Sequence, residues 1–134
     1  VEGFLAAKSY LTKNAMEFDG VEWKVNPALM KVSFGTLPLS ENIAVKTAED
    51  WNLLFTWDTA EVNGSDKKDQ VMLMAYNLES KHVIKDTSGE FRQTGSTKLK
   101  IYFPNTLSWH VYFAFIAVDR SRQSDSVYLG EIKF

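Results

Sequence analysis

The sequence predicts an all-β chain, an immunoglobulin/fibronectin-III-like antiparallel β-sandwich with a short N-terminal helix. Three observations carry that prediction. About seven or eight short apolar runs recur at roughly ten-residue spacing, with turn residues between them. No helical stretch separates the runs, so the crossovers that parallel strands require are missing. Several runs also alternate with a period of two, which is the signature of a strand with one buried face.

Phe4, Ala7, Leu11 and Ala15 follow the 3.6-residue period and predict a helix over residues 3–16. Phe18-Asp19-Gly20 reads as its stop, and Asn26-Pro27 as a second boundary, because proline restricts the residue before it. The chain therefore divides into an N-terminal helix and connector (1–27) and a sandwich (28–134). Residues 29–34 form a short strand closed by Gly35 and Pro38, and residues 43–46 another. Residues 51–57 alternate cleanly, with Trp51, Leu53, Phe55 and Trp57 on one face and Asn52, Leu54 and Thr56 on the other. Asn63-Gly64-Ser65-Asp66-Lys67-Lys68-Asp69 is a loop rich in turn residues. Strands follow over 70–77, 82–85 and 98–103. Pro104-Asn105-Thr106 then turns into the longest run, 109–119, and residues 126–134 close the chain.

With 134 residues, 45% of them hydrophobic and 24% charged, there is material for one core. The absence of Cys excludes disulfides, thiolate metal sites and a cysteine nucleophile. Fifteen basic and 17 acidic residues are interspersed and sum to −2, so there is no basic stripe to bind nucleic acid. No apolar run approaches the roughly 20 residues that span a bilayer, and membrane insertion is not expected. The chain begins at Val1, which suggests a processed product or a fragment. The sequence leaves the compartment open, with an extracellular or cell-surface location slightly favoured. Aromatic residues are abundant, with 4 Trp, 5 Tyr and 9 Phe.

Two strands are apolar on both faces. In residues 109–118, Trp109, Val111, Phe113, Phe115 and Ala117 oppose His110, Tyr112, Ala114, Ile116 and Val118. In residues 71–76, Val71, Leu73 and Ala75 oppose Met72, Met74 and Tyr76. In an immunoglobulin-type sandwich these third and sixth strands are sheet neighbours, so their outer faces join into one apolar patch. Met72, Met74, Tyr76, His110, Tyr112 and Ile116 are therefore the candidate interface residues. Either the N-terminal helix covers them, or a protein partner or an identical subunit does, or they form an aromatic ligand-binding face.

No catalytic, cofactor-binding or metal-binding set emerges. His82 and His110 share no ligand-like spacing. There is no nucleophile elbow and no phosphate-cradling glycine loop. Asp66 and Asp69 share a loop near Asp58, but Lys67 and Lys68 lie between them, which favours a solvated loop over a calcium or hydrolytic site. Trp51, Trp57 and Trp109 lie in phase with apolar neighbours and are assigned to the core. Trp23, between Glu22 and Lys24, is the candidate for stacking a sugar.

Leu53-Leu54-Phe55-Thr56-Trp57-Asp58 resembles the second strand of fibronectin type III modules, and Pro104-Asn105-Thr106 the turn before their sixth. Val111-Tyr112-Phe113-Ala114-Phe115-Ile116-Ala117-Val118-Asp119, followed by Ser124-Asp125-Ser126-Val127-Tyr128-Leu129-Gly130, is similar to the ending of an uncharacterised family of short bacterial proteins, a domain of unknown function. Tyr10-Leu11-Thr12-Lys13-Asn14-Ala15, Val32-Ser33-Phe34-Gly35-Thr36-Leu37 and the run from Asp69 to Asn77 resemble its central parts. That resemblance implies a further N-terminal segment that is missing here, and it implies no catalytic residues.

The expected function is a non-catalytic structural or interaction module, a subunit of a larger bacterial assembly such as a surface filament, appendage or phage-like particle. A strand from another chain could add to an open sheet edge. The alternative is a carbohydrate- or small-ligand-binding module that uses exposed aromatics.

Overall fold

The computed structural model describes residues 16–18, 20, 21, 23–102 and 108–134, with only the backbone described at 16–18 and 23–25. Nine strands are present among these residues: β1 (Met16–Phe18), β2 (Trp23–Val25), β3 (Ala44–Ala48), β4 (Asn52–Thr56), β5 (Gln70–Tyr76), β6 (Val83–Asp86), β7 (Ser96–Lys100), β8 (Ser108–Ile116) and β9 (Val127–Lys133). The only helical elements among them are single 3-10 turns. β1 and β2 form a hairpin, β3-β4-β7 a three-stranded sheet and β6-β5-β8-β9 a four-stranded one, with all pairings antiparallel. Of the seven sandwich strands, the third and sixth are neighbours, as an immunoglobulin-like arrangement requires.

Alternation explains the main core. Leu53, Phe55 and Trp57 from the β4 run and Leu99 and Ile101 from the β7 run meet Val71, Leu73 and Ala75 of β5. Trp109, Val111, Phe113 and Phe115 of β8 complete the layer between the two sheets. Phe113 and Phe115 meet edge to face, and the Trp57 ring lies 5.4 Å from that of Phe113. Such aromatic pairs each add about 0.5–1.5 kcal/mol beyond their burial.

The structure corrects several expectations. The helix predicted over 3–16 lies outside the described residues except for its last residue, Met16, which begins β1. Residues 29–34 are not a sheet strand. Pro27–Leu29 is a 3-10 turn capped by the Asn26 side chain, and residues 30–37 run on as a strap. β8 stops at Ile116 because residues 117–120 turn away, and Val118 is exposed. Trp51, assigned to the core, is exposed as well.

Candidate interaction face

The outer face of the four-stranded sheet carries the predicted patch, and the assignment of faces follows the alternation. Met72, Met74, Tyr112, Ala114 and Ile116 form one cluster there, distinct from the inter-sheet core. The cluster is buried, and its cover comes from the chain itself. Met30 and Val32 of the strap close over it, with Phe34 packed alongside. The candidate interface residues Met72, Met74, Tyr112 and Ile116 therefore lie inside a second small core. Burying each of these side chains is worth roughly 1.5–3 kcal/mol.

The strap is tied down mainly by the turn that joins β8 to β9. Val32 N–H donates to Ser126 Oγ at 3.0 Å, and the buried Ser33 hydroxyl donates to the Ser124 carbonyl at 2.7 Å. Ser126 N–H returns a bond to the Ser33 carbonyl, and Leu37 N–H one to Gln123. Ser124 is buried in turn, its hydroxyl accepting from Phe115 N–H at 2.8 Å. At Gly35 a β-carbon would stand 1.8 Å from the Gln123 carbonyl oxygen, so only glycine fits. Leu37 then enters the main core.

Beyond the strap, Tyr76 and His110 remain half-buried and are paired across β5 and β8. Tyr128 joins them because of a bulge. Val111 pairs with Gly130 but Tyr112 with Tyr128, so Leu129 is the extra residue and Gly130 takes φ 109°. The inserted residue puts both Tyr128 and Glu131 on the outer face beside His110. His110 Nδ1 lies 2.9 Å from the Tyr128 hydroxyl, and its Nε2 lies 3.6 Å from Glu131 Oε2. Ser108 Oγ donates to the same carboxylate oxygen at 2.9 Å. Burial pulls His110 below its ordinary pKa, with Glu131 acting in the opposite direction. Burial, together with Tyr128 and Tyr76, holds the Tyr112 hydroxyl far above the ordinary range, and it donates to the Pro27 carbonyl.

The remaining sequence candidates are dispersed. Trp23 lies in β2 opposite Phe18, and its side chain is outside the described set. Asp58 accepts from Asn42, Asp66 accepts from Lys68 N–H within its own loop, and Asp69 is buried against Arg92 at 3.1 Å. Asp69 also accepts from Asp66 N–H at 3.0 Å, so these two share one loop structure, while Asp58 pairs elsewhere with Asn42. Of the three only Asp66 lines the cleft of about 480 Å³ that Thr59, Glu61, Ser65, Lys67 and Gln93 help to form. Among the described residues no three His, Asp or Glu side chains converge as a metal site, and no helix is long and apolar enough to cross a membrane. Sequence reasoning missed the strap and Arg92. The alternation of Met30, Val32 and Phe34 was visible, but it reports a buried face and not which layer buries it.

A sequence profile described as a family of unknown function, DUF6266, matches residues 1–130. No curated protein matches the chain.

Proposed function

The chain belongs to that family of unknown function, and we propose that it is a non-catalytic interaction module, a subunit of a larger bacterial assembly such as a surface filament, appendage or phage-like particle. The observation that carries this reading is the outer face of the four-stranded sheet, where the strap covers Met72, Met74, Tyr112 and Ile116 but leaves Tyr76, His110 and Tyr128 half-buried. Tyrosines in that position are typical anchors of a protein interface, because each offers large area at low entropic cost.

The sheet edges favour this face over strand addition. β3 carries Lys46, β6 Lys85, β7 Lys98 and Lys100, and β9 Lys133. Lysines on edge strands oppose indiscriminate pairing with other chains. A second copy of the chain is the partner this reading names first, and an extracellular or surface setting suits it.

Sedimentation of the intact protein from low to high micromolar concentration tests the reading. Mass should rise with concentration, and Tyr76→Arg should weaken association by about thirtyfold, the effect of losing one anchor worth about 2 kcal/mol. A strict monomer at every concentration would sink it.

A further inference from the structure

We propose that the outer face of the three-stranded sheet binds a linear acidic polysaccharide. In an antiparallel sheet, residues paired across strands point to the same side. Lys46 pairs with Leu54, and Leu54 with Lys98. Two residues along, Asn52 pairs with Lys100, and at the far end Thr56 pairs with Ser96. The opposite side of the same strands carries Leu53, Phe55 and Leu99, which are buried in the inter-sheet core, so the lysine side faces outward. Among the described residues no strap closes over this sheet, and Lys46, Lys98, Thr56 and Ser96 are exposed.

The outward positions of β3, β4 and β7 carry three lysines and no carboxylate. The chain has 17 acidic against 15 basic residues, and a merely solvated surface ordinarily mixes the two signs. Lys46 is distant in sequence from Lys98 and Lys100, and the strand order β3-β4-β7 brings them together. Strand geometry sets the backbones of Lys98 and Lys100 about 7 Å apart along β7, and that of Lys46 about 10 Å from Lys98 across the sheet. Lys100 Nζ donates to the Asp50 carbonyl, which holds that ammonium beside the β3–β4 turn. Neither Lys46 nor Lys98 has an ion-pair partner among the described residues.

The placement of the charges selects the occupant. The acids that flank these strands stand at their two ends, Glu49 and Asp50 in the β3–β4 turn and Glu41 and Asp58 beyond the pair Ala44 and Thr56. A planar anionic bilayer laid on the face would meet both acidic ends. A protein that holds nucleic acid through about 6–10 phosphates draws on more cations than these three, and the net charge of −2 opposes so dense a polyanion. A linear polysaccharide with spaced carboxylates or sulfates can cross the strands between the acidic ends. Its anions meet the lysines, its C–H groups lie on Leu54, and its hydroxyls bond the Thr56 and Ser96 hydroxyls, which have no side-chain hydrogen bond among the described residues. This face belongs to the other sheet from Tyr76, His110 and Tyr128, so the proposal does not rest on the assembly reading.

Biosensor titration of the intact protein over immobilised polygalacturonate, heparin and dextran tests it. Saturable binding to polygalacturonate or to heparin is expected, with none to dextran, and the two acidic arms separate carboxylate from sulfate recognition. Replacing two lysines together, Lys46→Gln with Lys98→Gln, should weaken binding about thirtyfold, at about fivefold per lysine on an anionic surface, with unchanged thermal midpoint. Added salt should weaken it as well. Lys67→Gln with Lys68→Gln changes the net charge equally and should leave binding unchanged. Failure of both acidic polymers to bind, equal losses in the two double variants, or tighter binding of single-stranded DNA or of phosphatidylserine vesicles than of either polysaccharide overturns the proposal.

Discussion

His110 shows how a single position combines packing with titration. It stacks beside Tyr128 with centroids 6.0 Å apart and faces Glu131, yet desolvation outweighs that carboxylate and its pKa falls below the ordinary value. Above the ordinary histidine pKa, His110 is neutral in both the folded and the unfolded chain, and its full contribution to stability is present. As pH falls through that value the unfolded chain takes up the proton first. Stability is then lost progressively until the folded-state pKa is also passed. The thermal midpoint should therefore drop between neutral pH and pH values below 6, and His110→Phe should flatten that drop, as measured by scanning calorimetry across the range. A histidine packed among aromatics was already evident from its strand neighbours. Its partners were not, because Tyr128 and Glu131 share its face only through the bulge at Leu129, and no periodicity announces a bulge. Trp51 fails for a related reason, since two consecutive residues at positive φ break the alternation that would have buried it.

At the scale of elements, the strap distinguishes this sandwich from a plain one. β5 and β8 are apolar on both faces, and that doubling was readable as a demand for cover. What supplies the cover was not readable. Residues 30–34 carry the same alternation as a sheet strand, and the strap uses it to face the sheet from above, taking its hydrogen bonds from the 122–126 turn and not from a neighbouring strand. The strands within the sheets, by contrast, were placed to within a few residues, because sheet pairing and burial enforce the same period. The strap's two anchoring modes predict different losses. Met30→Ala removes a buried side chain from the second core and should cost about 2–5 kcal/mol in chemical denaturation. Gly35→Ala removes nothing, but it drives a β-carbon into the Gln123 carbonyl, so it should also destabilise and should expose the outer face to the dye ANS. If Gly35→Ala leaves both stability and dye binding unchanged, the strap is not seated as described.

For the whole molecule, the question is what locks the two sheets in one relative position when most inter-sheet contacts are non-directional. Arg92 is the best-connected answer. Its backbone N–H donates to the Asp69 carbonyl at 2.6 Å and its carbonyl accepts from Trp57 Nε1 at 2.7 Å. Its Nη1 donates to the Pro38 carbonyl at 2.7 Å and to Asp69 Oδ2 at 3.1 Å, while the guanidinium lies 4.3 Å from the Phe115 ring centroid. One buried residue thus joins the end of the β4 run through its backbone carbonyl, and the segment after the strap, the entry to β5 and the end of β8 through its side chain. Burial lowers its pKa and Asp69 opposes the shift, yet an arginine stays charged at any working pH. Desolvating both charges is costly, so the pair adds little net stability, whereas its geometry rules out other sheet alignments. The energetics of such a pair are asymmetric. Arg92→Met leaves a carboxylate buried without its cation and should cost about 3–5 kcal/mol. Adding Asp69→Asn to that variant removes the stranded charge and should recover a large part of the loss. Equilibrium denaturation of the wild type, both single variants and the double variant gives the coupling. Strict additivity of the two single losses would show that Arg92 and Asp69 do not act as a pair, and that the sheets are aligned by packing alone.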